Sequence, residues 1–169
     1  MILSNTDIKK ALSEGKLKIK PLKNDQVGPA SVDLTLSDEW YFFKKQLGKT
    51  DLSKVSFQKA FNIRNSKLVT LAPGEMCLGK TVEKLTLPLD IMGKLEGRSR
   101  YARMGLIIHT TSALVQPGSD NHQILEIVNL APFTITLHAG MRVSQVVFET
   151  LKSKTTKPYS KFGKIAKKQ

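Results

Sequence analysis

Glu126 is the residue in this chain best placed to move a proton. It is the lone carboxylate in the apolar run Ile124-Leu125-Glu126-Ile127-Val128. Burying such a group is costly unless something pairs with it. The candidate partner is Arg103, in the basic segment Gly97-Arg98-Ser99-Arg100-Tyr101-Ala102-Arg103-Met104-Gly105. Ser99 lies one helical turn before Arg103, so a helix here puts both on one face. A partly desolvated acid beside an arginine and a serine makes a proton-transfer site. Arg98, Ser99 and Arg100, with the free amides of a helix start, read as an anion site.

Composition bounds the answer. The 169 residues suit one domain with a tail, and 40% apolar residues suffice for a sizeable core. No apolar run approaches a membrane span, which excludes a membrane partner of that kind. The opening Met1-Ile2-Leu3-Ser4-Asn5-Thr6-Asp7 lacks a signal peptide's basic region and long apolar stretch, so the expected location is the cytoplasm. Cys77 is the only cysteine, which excludes an internal disulfide and a cysteine-based zinc site. Its apolar neighbours predict a buried, inert thiol.

The formal net charge is +13, so the partner should be anionic. Seven lysines fall within residues 152–169, from Lys152 to Lys168, with no acid among them. We read residues 1–151 as the folded domain. Residues 152–169 are a basic tail, largely solvated, whose middle could close over a polyphosphate.

The elements that must position these groups are mostly strands. Ser4, with Asp7 three residues on, predicts a short helix that Gly15 ends. Residues 31–36 alternate cleanly, and 40–43 are aromatic. The polar, lysine-rich stretch 44–66 reads as a long loop. Further strands are predicted at 68–71, 76–81, 84–87, 90–95, 106–110, 123–130, 133–137 and 143–150, punctuated by Pro88, Pro117-Gly118, Pro132 and Ala139-Gly140. Only residues 98–104 look helical in the second half. Such a pattern predicts an all-β barrel or sandwich.

Residues 97–106 resemble the Gly-Arg-Ser-Ser-x-x-Arg-x-Gly signature of the dCTP deaminases, which belong with the trimeric dUTPases. Pro117-Gly118, Leu125-Glu126 and Asn129 fall where that family has its Pro-Gly and its Leu-Glu-x-x-Asn. Met1-Ile2-Leu3-Ser4, Pro29-Ala30-Ser31-Val32-Asp33-Leu34, Leu87-Pro88, Gly140-Met141 and Pro158-Tyr159 also look familial. The resemblance covers nearly the whole chain. It implies a mainly β, dUTPase-like distorted β-barrel or jelly roll with short helices. It also implies a homotrimer with sites assembled between subunits, and dCTP as substrate, with dUTP and dTTP as further ligands.

Deaminating cytosine takes water attack at C4, a proton at N3 and departure of ammonia. Zinc deaminases activate the water with a His/Cys-held metal and a P-C-x-x-C signature. This chain lacks that signature, and His109, His122 and His138 show no compact ligand spacing. The expectation is therefore a zinc-free route with Glu126 as base.

By the resemblance, Glu126 shuttles the proton and Ser99 helps hold the water or the base. Arg103 orients Glu126 and contacts substrate. The family's backbone carbonyl near the water maps to Ser112. Arg98, Ser99 and Arg100 take the triphosphate, with Mg2+ carried on it and no metal ligand from the protein. Ile124 and Leu125 belong to the substrate-binding strand with Glu126, and Tyr159 and Lys161 match positions that close over the nucleotide.

Three departures stand out. Gln116 replaces the family aspartate that touches the sugar 3′-hydroxyl, and glutamine can bond a hydroxyl but is not a base. Arg100 sits where a second serine is common. The tail run Lys161-Phe162-Gly163-Lys164-Ile165 keeps only part of the family's Lys-Tyr-x-x-Gln.

Two other readings compete with dCTP deamination. One is dUTP hydrolysis, alone or in a bifunctional route to dUMP, which Gln116 disfavours. The other is a basic nucleic-acid-binding or regulatory protein on the same scaffold. The charge supports it, but few aromatics interleave the lysines, and nucleic acid is not the expected partner.

Overall fold

Ser4 caps the first helix as its spacing to Asp7 predicts. Its Oγ accepts from the Asp7 N–H at 3.3 Å, and the Asp7 carboxylate accepts from the Ser4 N–H at 3.1 Å. The helix, α1 (Asn5–Ser13), buries Ile8 and Ala11. The computed structural model describes residues 1–109 and 111–161. Lys164, Lys167, Lys168 and most of the partial tail motif lie outside the described residues.

Strands dominate the rest. In chain order they are β1 (Lys18–Lys20) and β2 (Val32–Phe43), then helix α2 (Phe57–Ala60), β3 (Phe61–Asn65), β4 (Leu68–Leu71), β5 (Met76–Thr86) and β6 (Ile91–Gly97). After helix α3 (Ser99–Ala102) come β7 (Leu106–Ile108), β8 (Leu114–Val115), β9 (Asp120–Asn129), β10 (Ile135–His138) and β11 (Arg142–Thr150). One nine-stranded sheet runs β7-β9-β5-β2-β11-β6-β8, with β1 beside β5 and β3 beside β2; β4 and β10 pair apart.

The sheet curls into a half-barrel, in keeping with the expected distorted barrel. The curl begins in β2. Residues Val32 to Thr35 pair with β11, whereas Leu36, Trp40 and Tyr41 pair with β5, with an irregular register between Leu36 and Trp40. Such a bulge bends a strand and sharpens its twist. The core fills the inside of the curl, with Trp40, Phe148, Leu34, Leu36, Leu125 and Ile127 fully buried. Cys77 is buried as predicted, and burial pushes its thiol up to about 12. Among the described residues no helix is long and apolar enough to cross a membrane.

Several expectations need correction. The stretch 44–66 is no plain loop: it holds a 3-10 turn at Lys45–Leu47, then α2 and β3, which pairs with β2. The residues of β3 are almost all exposed, so the strand leaves no burial pattern and is held by its backbone pairing with β2. The expected pairs 31–36/40–43 and 76–81/84–87 are each one long strand broken in register by a bulge. Strands β1 and β8 are too short to leave a periodic signal.

Candidate active site

Alternation along β9 decides where Glu126 points. Leu125 and Ile127 enter the core with no exposure, so Glu126 between them faces the other way. Leu78 of β5 lies directly opposite Glu126, and Tyr41 of β2 lies opposite Leu78. On the other flank the His109 N–H donates to the Glu126 carbonyl at 2.9 Å. Tyr41, Leu78, Glu126 and His109 thus form one row across four chain segments. That row lines a cavity of about 490 Å³.

The Glu126 carboxylate is held by Thr111, a residue that the sequence reading missed. The Thr111 N–H donates to Oε2 at 3.1 Å, and its hydroxyl lies 3.1 and 3.2 Å from Oε1 and Oε2. The available signal was the hydroxyl run Thr110-Thr111-Ser112 just after β7. Donors of this kind favour the charged carboxylate and fix its direction. His109 sits at φ +56°, and both its ring nitrogens are buried with no partner among the described residues. Burial holds its pKa below the usual value, although the Glu126 charge pulls the other way, so the ring is neutral at pH 7.

Ser112, Gln116, Ile124 and Tyr159 line the same cavity. The Gln116 carbonyl accepts from the Ser119 hydroxyl at 2.6 Å, which fixes the turn that presents its side chain. Leu125 belongs to the core instead, so only its backbone is available to a ligand. The tail reaches this site through the Pro117-Gly118 turn. The Tyr159 N–H donates to the Pro117 carbonyl at 3.0 Å, and Gly118 has φ +78° with Pro158 packed where a Cβ would be, 2.9 Å away. Lys161 is exposed in the 3-10 turn Tyr159–Lys161 and is not among the cavity's residues.

The signature helix is held differently. Ser99, Arg100 and Arg103 are exposed on and just after α3, outside the cavity. Neither the Ser99 hydroxyl nor the Arg103 guanidinium makes a hydrogen bond or ion pair among the described residues. Arg103 is therefore not the partner of Glu126 within one chain, where Thr111 takes that place. Arg98 is anchored: it pairs with Asp33 at 3.2 Å and donates to the Arg142 carbonyl at 3.3 Å. Desolvation raises the Asp33 pKa, opposed by Arg98 and Arg142.

Gly105 ends the segment at φ +85°, and a Cβ there would lie 2.6 Å from the Ala131 nitrogen, so no side chain fits. Asn129 braces the same turn from β9. Its Nδ2 donates to the Leu71 and Phe133 carbonyls at 2.9 Å, and its Oδ1 accepts from Ala131 at 2.8 Å. Among the described residues no three His, Cys, Asp or Glu side chains are grouped to hold a metal ion.

Known proteins resemble this chain in sequence and in fold. A family model described as dCTP deaminase-like matches residues 2–151. A Methanosphaera stadtmanae protein named "dCTP deaminase, dUMP-forming" is 39% identical over 166 residues, covering 94% of this chain and 83% of its own. A Rhodospirillum rubrum dCTP deaminase is 36% identical, over 95% of this chain and 88% of its own. The crystal structure of 2′-deoxycytidine 5′-triphosphate deaminase from Agrobacterium tumefaciens superposes with a TM-score of 0.68 at 25% identity, over 87% of this chain. The match spans about half of that protein, 47% of its length. The dUTPase of phage phi11 of S. aureus shares the fold with a TM-score of 0.54 at 15% identity, over 86% of this chain and 97% of its own. The match from Ile2 to Leu151 takes in Glu126, the signature helix and the sheet that joins them, and the chain belongs to the dCTP deaminase-like family.

Proposed function

We propose that this chain hydrolyses the C4 amino group of dCTP, giving dUTP and ammonia, with Glu126 as the proton-transfer base. The observation that carries the reading is the Glu126 carboxylate, turned out of the core into the cavity and tied to Thr111. In its charged form it takes a proton from water, whose oxygen adds to C4, and delivers that proton to N3. The proton left on the C4 hydroxyl then passes to the amine, the C4–N bond breaks as the C4 carbonyl forms, and ammonia departs. The Ser112 backbone carbonyl holds the water, and Gln116 offers its amide to the sugar hydroxyl. Ile124 and the Leu125 backbone flank the base.

The reading assigns Ser99 and Arg103 to the same reaction but from a neighbouring copy, in a homotrimer. Their exposure and free side-chain groups support this. Ser99, Arg100 and the anchored Arg98 then meet the triphosphate, which brings Mg2+ with it; no zinc enters the reading. Tyr159 and Lys161 close over the nucleotide. Residues 1–151 are the catalytic domain and 152–169 the basic tail of a cytoplasmic enzyme, with neither membrane nor nucleic acid as partner. dUTP and dTTP are further ligands of the same cavity.

Relatives named as dUMP-forming support a second reading, in which the triphosphate is also cleaved. Gln116 stands against it, because an amide cannot activate the water. One assay separates the two. The purified chain is incubated with dCTP and with dUTP, and nucleotides, ammonia and pyrophosphate are resolved. Ammonia with dUTP as the product is expected. dUMP and pyrophosphate would establish the second reading, and inertness toward both nucleotides would refute each.

A further inference from the structure

The cavity extends past Glu126 into a wall that deamination of plain cytosine does not use. Leu78 lies one strand from Glu126, and Tyr41 lies about 10 Å away, two strand spacings. Phe57, carried in by α2, packs its ring on Tyr41 at 5.7 Å between centroids. Phe61 backs Phe57 at 4.8 Å, and Phe43 backs Phe61 at 4.6 Å. The wall is thus braced by a run of aromatic contacts.

Its charged groups and the Tyr41 hydroxyl are already paired. The Lys80 ammonium bonds both Glu39 carboxylate oxygens, at 3.2 and 3.3 Å, and the Tyr41 hydroxyl donates to the same carboxylate. A lysine neutralised in this way is a poor phosphate site. Phe57, Tyr41 and Leu78 present a carbon surface, with the uncharged Ser56 and Gln58 beside them.

A pyrimidine nucleotide offers that surface only one match. N1 bears the sugar, and N3 and C4 face the acid that works on them. The remaining flank, C5 and C6, is hydrocarbon. We propose that Phe57, with Leu78 and Tyr41, forms a specificity wall against the C5 edge, and that the chain accepts cytosine nucleotides with a small apolar substituent there. For a 5-methyl group the reaction is 5-methyl-dCTP plus water giving dTTP plus ammonia, with the same bonds made and broken as for dCTP. The inference rests on the deaminase reading and adds a substrate class to it.

The test uses the full chain with dCTP and 5-methyl-dCTP, and reads the ratio of the two kcat/KM values. A ratio cancels any loss of folded protein. Wild type should turn over 5-methyl-dCTP within about tenfold of dCTP. Phe57→Ala removes the methyl's contact and should lower the ratio about tenfold, in the range known for one methylene in an apolar pocket. Phe57→Trp narrows the space and should lower it further. Deamination of dCTP with a wild-type ratio below about 1/200 would overturn the inference alone. So would a ratio that neither Phe57 variant moves. Failure to deaminate dCTP itself would instead strike the deaminase reading, and this inference with it.

Discussion

Glu126 and Arg103 belong to elements joined through β7, yet the chain completes the surroundings of one and not the other. Around Glu126 everything needed to hold a carboxylate is local: Thr111 donors, a β-ladder on both sides, and Leu125 and Ile127 anchored below. Around Ser99 and Arg103 only the frame is built. Arg98 pins the start of α3 to β2, Gly105 and Asn129 lock its end, and the Ser99 and Arg103 side chains make no hydrogen bond or ion pair among the described residues. A rigid frame that presents unpaired polar groups to solvent is what a contact surface requires. The contrast teaches that folding alone finishes the surroundings of Glu126 and leaves Ser99 and Arg103 exposed, as the proposed pairing with a neighbouring copy requires.

The sharpest way to break that comparison is to remove the acid. Glu126→Gln should lower ammonia release by about 10²–10⁴-fold while nucleotide binding survives, as measured by turnover and by titration calorimetry. Unchanged turnover would remove Glu126 from the chemistry altogether.

Arg103→Ala should cost about 10²-fold, the scale for deleting one preorganised donor. Co-expressing Arg103→Ala with Glu126→Gln then sharpens the comparison. If acid and arginine come from different copies, mixed oligomers regain measurable activity. If they come from one chain, the mixture stays as dead as its parents.

Thr111→Val keeps the backbone donor and loses the hydroxyl. With one donor fewer the carboxylate is less firmly oriented toward the cavity. The rate should fall about tenfold, the worth of one hydrogen bond to a charged group, with dCTP binding little changed. An unchanged rate would detach Thr111 from Glu126's role.

The smallest effect is expected from the tail. Truncation after Leu151 removes Tyr159 from the cavity and Pro158 from Gly118. dCTP binding should weaken by a few-fold, read as KM with kcat nearly constant. Equal KM with and without residues 152–169 would assign the tail to solvent.

Much of this molecule was written locally. The Ser4–Asp7 cap, the short helix at 98–104 and the alternation around Glu126 depend on neighbours in sequence, and each was legible there. Cys77 between Met76 and Leu78 was equally plain. The polar stretch 44–66 misled, because β3 is held by its ladder with β2 rather than by its own residues. The bulge that fuses two predicted strands into β2 accompanies its passage from β11 to β5, and the one in β5 is a register shift against β9; no single segment records either.

The sequence by itself determined which residues carry charge, hydroxyl and acid chemistry. Only the tertiary structure decided that Thr111, not Arg103, holds Glu126 within a chain, and that Leu125 belongs to the core. It also decided that Phe57, from a lysine-rich insertion, walls the cavity. The physical reason is range. Capping, periodicity and backbone strain act over a few residues, whereas a cavity is closed by segments that meet only when β2 leaves β11 for β5.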